Sequence, residues 1–185
     1  MNLTNEYDNK NVIRIDPGLA FGTGSHPSTA LCLEMMEKFF LKDRKILDIG
    51  CGSGILSIAA KKLGAKDIYA MDNDYLAINS VNENFVINFP QIKNLYVKEG
   101  SFPLIAANYY SADFDFIFCN IRSIVMKEII PHLSKCIKLN GIVLLSGILD
   151  SQKEEIIKLL NLYHFNLDNV LSKKEWICIE AMRLK

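Results

Sequence analysis

ILDIGCGSG, residues Ile46 to Gly54, sets three glycines (Gly50, Gly52 and Gly54) between an apolar run and a helix-forming run. Glycine has no Cβ, so the chain can turn sharply there and a ligand can come up against the main chain. KILDIG (Lys45–Gly50) reads as a strand entering this turn. Ile55–Leu63 reads as the helix leaving it, with Gly64 just past the helix end. DIYAMD (Asp67–Asp72) is a second strand. Strand, glycine turn, helix and strand in that order make a βαβ unit, and with it a parallel sheet.

The alternation continues along the chain. Asp74 is placed to cap a helix whose Ala77, Val81 and Phe85 share one face. NLYVKEG (Asn94–Gly100), DFDFIFCN (Asp113–Asn120) and NGIVLLSG (Asn140–Gly147) are further strands, and a helix between the last two is expected to break or kink near Pro131. Ser151 and Glu154 make a capping-box pattern ahead of a helix carrying Ile156, Ile157, Leu159 and Leu160. FNLDNVLS and EWICIEAMRL, separated only by Lys173–Lys174, read as a closing hairpin. The expected fold is α/β: a doubly wound, mostly parallel seven-stranded sheet with a C-terminal antiparallel hairpin. Its functional site should lie at the carboxyl ends of the strands.

A chain of 185 residues suits one domain. The expected division is a disordered or linker-like N-terminus over residues 1–11 and one folded domain over 12–185. Lys+Arg and Asp+Glu balance at 21 each, so no excess charge draws nucleic acid, and direct nucleic-acid binding is not expected. Apolar runs such as Gly141–Leu145 fall far short of the roughly 20 residues of a membrane helix. MNLTNEYDNKN carries no signal-peptide pattern, so a soluble, cytoplasmic protein without membrane partners is expected. Cys32, Cys51, Cys119, Cys136 and Cys178 are scattered, and neither they nor the three histidines gather at metal-ligand spacing. Disulfides and a bound metal are therefore not expected. Nothing in the sequence sets an oligomeric state.

The glycine spacing, G-x-G-x-G, departs from the G-x-G-x-x-G that seats a pyrophosphate at a helix N-terminus. Asp48, at the strand end, would repel phosphate and suits a ligand bearing an ammonium group. Asp72 ends the adjacent strand, where a carboxylate can grip a ribose diol. A nucleoside with an aminoacyl tail, S-adenosylmethionine, meets both demands. The same residues also allow plain turn glycines and a strand-end acid. A second unusual stretch, FGTGSHPST (Phe21 to Thr29), precedes the first strand. Pro27 suits a first helical turn, and a helix start favours an anion, so Thr29 is a ligand group or a helix cap. His26 is either a capping group or a ligand contact.

ILDIGCGSGILSIAAKKLGA and IYAMD resemble the cofactor half of class I SAM-dependent methyltransferases. IRIDPGLAFGTGSHPSTALCLE, with CNI (Cys119–Ile121), LSGIL (Leu145–Leu149) and KKEW (Lys173–Trp176), resembles the PrmA family from about Val12 to the end of the chain. The resemblance implies a Rossmann-like fold, S-adenosylmethionine as cofactor, and methylation of lysines and an N-terminal amine on a large-subunit ribosomal protein. It implies that the loop bearing Phe21, Gly22, Thr23 and Gly24 folds over the cofactor. By the same resemblance Thr29, Gly50, Asp72 and Asn120 fall on cofactor-contacting positions, beside Gly52, Gly54 and Asp48. Members usually carry an N-terminal substrate-recognition domain, and this chain is expected to start just before the catalytic domain.

Asn120 is the catalytic candidate: its amide oxygen can accept from an amine without forming an ion pair that would hold a lysine protonated. Asp48 is expected to serve the methionine ammonium directly or through water, and Glu99 to order the adenine-side loop or stay solvated. Arg122 stands where the family more often has an apolar residue, and is expected at the surface or in a salt bridge, with contact to substrate or the cofactor carboxylate as the lesser alternative. Trp176, Phe39–Phe40 and Tyr109–Tyr110 are expected to pack, with Phe21 or Tyr109 left as a channel-lining candidate. Three alternatives remain open: a free-standing methyltransferase for another protein or small amine, a non-catalytic SAM-binding module, and a NAD-dependent dehydrogenase. The last is disfavoured by the glycine spacing and Asp48.

Overall fold

Strand β1 (Lys45–Ile49) has no solvated face: Leu47 and Ile49 enter one apolar layer and Ile46 the other. This two-residue alternation, buried on both sides, is what a central parallel strand requires. The computed structural model describes residues 12–16, 22–91, 93–102 and 113–184. Ahead of β1 lies α1 (Pro27–Met36). After it come α2 (Ile55–Lys62), β2 (Asp67–Asp72), α3 (Tyr75–Asn88), β3 (Leu95–Glu99), β4 (Phe114–Asn120), α4 (Ser123–Leu133) and β5 (Ile137–Leu149). A 3-10 turn over Asp150–Gln152 leads into α5 (Lys153–Leu162), β6 (Phe165–Lys173) and β7 (Trp176–Arg183).

The seven strands form one sheet in the order β3-β2-β1-β4-β5-β7-β6. The first five run parallel, and β7 is antiparallel to both β5 and β6. One face packs Met126, Ile129 and Ile130 of α4 and Ile156 and Leu160 of α5 on Leu47, Ile117 and Val143. The other packs Leu31 and Met35 of α1, Ile58 of α2, and Val81 and Phe85 of α3 on Ile46, Ile68 and Phe118. The expected α/β fold with its closing hairpin is the observed one.

Local departures have physical causes. Strand β5 starts at Ile137, three residues before the expected Asn140, because its pairing with β4 shifts register between Phe114 and Phe116. Asn140 takes φ 59° inside that irregularity, so a turn signal sits within a bulged strand. Helix α4 is not broken at Pro131 and runs on to Leu133, since a proline in the last turn forgoes only one helical hydrogen bond. The Ser151–Glu154 box does not form; instead Gln152 Oε1 accepts the Leu149 N–H at 3.0 Å and α5 opens without a side-chain cap. Asp74 does cap α3, accepting from the Leu76 N–H at 2.9 Å. The hairpin turn is Lys174 and Glu175, one residue later than expected, with Lys174 at φ 55°.

Candidate functional site

Register places the site before any side chain is considered. Ile49 pairs with Met71 on β2 and with Cys119 on β4. One level further, Gly50 is therefore flanked by Asp72 on one side and Asn120 on the other. Here the chain order reverses about β1, the switch point at which α/β sheets leave a crevice. The Gly50 and Cys51 N–H groups both donate to the Met71 carbonyl, at 2.9 and 3.1 Å, which folds the glycine loop back over the strand tip. Gly50 has φ 69°, and a Cβ there would come 2.4 Å from Cγ2 of Ile121. On the other side of Ile121, a Cβ on Gly147 (φ 78°) would lie 2.3 Å from the Ile121 carbonyl oxygen. Ile121 is thus held between two glycines, and that fixes where Asn120 stands.

A cavity of about 780 Å³ opens at this point. Of the residues expected in the site, Gly22, Thr29, Gly50, Gly52, Asp72 and Asn120 line it, and Thr23, Gly24, Asp48 and Gly54 do not. Phe21, like Tyr109 and Tyr110, lies outside the described residues. Asp72 Oδ2 accepts the Gly52 N–H at 3.0 Å and its Oδ1 accepts the Asp74 N–H at 3.1 Å. A carboxylate has about four acceptor positions, so capacity for two hydroxyls remains. Asn120 Nδ2 donates to Thr29 Oγ1 at 3.1 Å. Thr29 is fully buried in the first turn of α1, which Pro27 opens. His26 is the N-cap: its Nδ1 lies 3.3 Å from the Ser28 N–H and 2.8 Å from the Ser28 hydroxyl. It lines the cavity as well.

Asp48 lies behind the cavity wall and does not line it. It shares the face of Ile46, so strand alternation turns it beneath the loop and against α2. It is 1% exposed, and its Oδ2 accepts the Ser57 N–H at 3.1 Å and the Ser57 hydroxyl at 2.6 Å. Oδ1 is buried with no partner among the described residues. Burial pushes the carboxyl up to about 7, against the pull of the Ser57 hydrogen bonds and with a further push from the Asp72 charge. Burial also drives the Cys51 thiol well above its usual range, aided by Asp48 and Asp72, so Cys51 is no thiolate nucleophile.

Several wall residues escaped the sequence reading. Phe102 follows β3, while Val125, Glu128 and Ile129 come from one face of α4 at three- and four-residue spacing. That spacing was visible, but nothing in it distinguished a cavity wall from a core face. Trp176, expected to pack rather than bind, lines the cavity and meets the His26 ring edge-on at 4.8 Å between centroids. Its hairpin register, opposite Leu149, carries it there. Arg122 is exposed, lines the cavity at the start of α4, and makes no ion pair among the described residues. Glu99 is exposed and outside the wall. No described helix is long and apolar enough to cross a membrane.

Sheet order, switch point and glycine loop define the class I methyltransferase fold. A SAM-dependent methyltransferase from Aquifex aeolicus superposes with a TM-score of 0.67 at 17% identity, covering 83% of this chain and 89% of that one. The ribosomal protein L11 methylase of Lactobacillus delbrueckii subsp. bulgaricus superposes with a TM-score of 0.83 at 34% identity, over 94% of this chain and 86% of that one. The family described as ribosomal protein L11 methyltransferase (PrmA) matches residues 2–184, and the chain belongs to it. Ribosomal protein L11 methyltransferases of Prochlorococcus marinus strains MIT 9312 and MIT 9515 are 55% and 53% identical over the whole chain. The chain spans 61% of the length of these two relatives.

Proposed function

We propose that residues 12–185 act as the catalytic domain of a cytoplasmic methyltransferase that uses S-adenosylmethionine to methylate amino groups of a ribosomal protein. The observation that carries this reading is the placement of Asp72 and Asn120 on either side of Gly50 at one cavity. The residues present fit the cofactor. Among the described residues no side chain fills the crevice at Gly50 and Gly52, Asp72 keeps accepting capacity, and Asp48 Oδ1 beneath the loop has no partner. In this reading Asp72 accepts the ribose hydroxyls. The Thr29 hydroxyl, at the positive end of α1, meets the carboxylate of the tail, an anion at a helix start. Asp48 serves the ammonium through water.

When bound, S-adenosylmethionine supplies an electrophilic methyl group on a sulfonium. The chain's task is to present a neutral nitrogen in line with it. A lysine with a pKa of about 10.4 requires roughly 4–5 kcal/mol to offer its lone pair at pH 7. The buried apolar side chains Phe102 and Ile129 line the site, and burial next to a positive charge lowers that requirement. Asn120, with its Nδ2 committed to Thr29, turns its amide oxygen to the amine N–H and aims the lone pair. Alignment of this kind contributes about 7–11 kcal/mol, so no strong base is needed.

The test is calorimetry with S-adenosylmethionine on the free protein, followed by incubation with the labelled cofactor and ribosomal protein L11, with mass spectrometry of the product. Heat on titration and label on L11 are expected. Label only on other proteins or small amines would favour a different acceptor, and binding without label would mark a non-catalytic module.

A further inference from the structure

Asn84 is a buried polar side chain on α3 that the proposed chemistry does not use; it is 1% exposed. Its Oδ1 accepts the Asp16 N–H at 2.8 Å, and its Nδ2 donates to the Ser53 carbonyl at 2.9 Å. Ser53, also 1% exposed, sits between Gly52 and Gly54, and its hydroxyl donates to the Gly22 carbonyl at 2.6 Å. One turn along α3, Asn88 exchanges a reciprocal pair of hydrogen bonds with the main chain of Arg14, Arg14 N–H to Oδ1 at 2.9 Å and Nδ2 to the Arg14 carbonyl at 2.6 Å. Asn88 therefore meets residues 12–16 as a strand edge would, with a donor and an acceptor, while Asn84 offers Asp16 its acceptor and turns its donor to Ser53.

Asp16, Asn84, Ser53 and Gly22 thus form one continuous hydrogen-bonded path from the segment before β1 to the glycine loop. Gly22 and Gly52, which the path brings under common control, both line the cavity. A Cβ on Gly22 would lie 3.0 Å from Ser53 Oγ, so the two loops already sit at contact distance. We propose that Ser53 and Asn84 are positioning residues: they lock the Gly22 wall to the glycine loop, so that cofactor affinity depends on them while the methyl-transfer step does not. A wall fixed beforehand need not be ordered at the moment of binding, which is where affinity is otherwise lost. The inference rests on the cofactor reading given above.

Ser53→Ala removes only the bond to Gly22, because the carbonyl that receives Asn84 belongs to the main chain. It should weaken binding of S-adenosylhomocysteine about tenfold, the worth of one well-formed hydrogen bond. The KM for the cofactor should rise by the same factor with kcat held within about twofold, and Ser53→Thr should restore both. Wild-type affinity in Ser53→Ala, or a fall in kcat at unchanged KM, would overturn the proposal. A second readout needs no cofactor: in the free protein Asn84→Ala should speed hydrogen exchange of the Asp16 amide at least tenfold, roughly the loss of one such bond, with β1 amides unchanged. Equal Asp16 exchange in the two proteins would also overturn it. Should Asn84→Ala not fold, Ser53→Ala decides alone. A wild-type protein that binds no cofactor would sink the functional reading instead, and the exchange experiment would still judge the lock.

Discussion

Asn120 donates through Nδ2 to Thr29 Oγ1 at 3.1 Å, tying the tip of β4 to the first turn of α1 across 91 residues of chain. The bond orients the amide and ties the proposed amine-aligning group to a residue proposed to hold the cofactor tail. Asn120→Ala should therefore slow methyl transfer about 100-fold, the cost of misaligned reactants, with cofactor affinity within a few-fold of wild type. Thr29→Val should lower turnover and affinity together. Single-turnover kinetics beside calorimetry separates the two, and normal transfer in Asn120→Ala would end the orienting role.

Asp72 holds the Gly52 and Asp74 N–H groups and has room for more. Asp72→Ala should weaken S-adenosylmethionine binding by about 1.5–3 kcal/mol, roughly 10- to 100-fold, as expected for hydrogen bonds to a charged group. Titration calorimetry measures this, and unchanged affinity would remove the ribose assignment.

Two glycines with positive φ should respond unequally to alanine. At Gly147 the new methyl would meet main chain at 2.3 Å, whereas at Gly64 (φ 97°) the nearest atom, Lys42 Cα, lies 3.3 Å away. Gly64→Ala should cost about 1–2 kcal/mol from backbone conformation. Gly147→Ala should cost at least about 3 kcal/mol or prevent folding, because backbone cannot rotate aside. Denaturant unfolding of both variants ranks them, and an equal loss would mean that Ile121 is not wedged.

Asp48 supplies a pH dependence with a definite sign. Its folded-state carboxyl titrates near 7 against an ordinary value of 3.8, so between these values the folded chain binds more protons than the unfolded one. Stability should fall as pH rises from about 4 to about 7 and then level off, by at most about 1.4 kcal/mol per unit. Asp48→Asn should lose this slope in denaturant titrations at pH 5 and 8. A cationic tail above the loop would favour the ionised form. Cofactor binding at pH 6 should then release a proton, and this is readable as a buffer-dependent heat.

What could be read from the sequence was what depends on short range. The Gly50 turn, the Asp74 cap, the α2 stop at Gly64 and the strand ends at Asp72 and Asn120 each announce themselves within a few residues. Because parallel register then aligns neighbouring strand tips, Asp72 and Asn120 follow as a pair. Whether Asp48 faces the cavity or the interior turns on one step of alternation, which carries no local mark. Trp176 and Glu128 depend on where the hairpin and α4 arrive in space. Asn84 carries no local mark either, because its partners Asp16 and Ser53 lie 68 and 31 residues away in the chain.

The antiparallel return of β7 brings Trp176 against His26, two residues from opposite halves of the chain. The wall at Trp176 therefore closes only once β7 has paired with β5, a contact that no shorter-range pairing in the sheet can substitute.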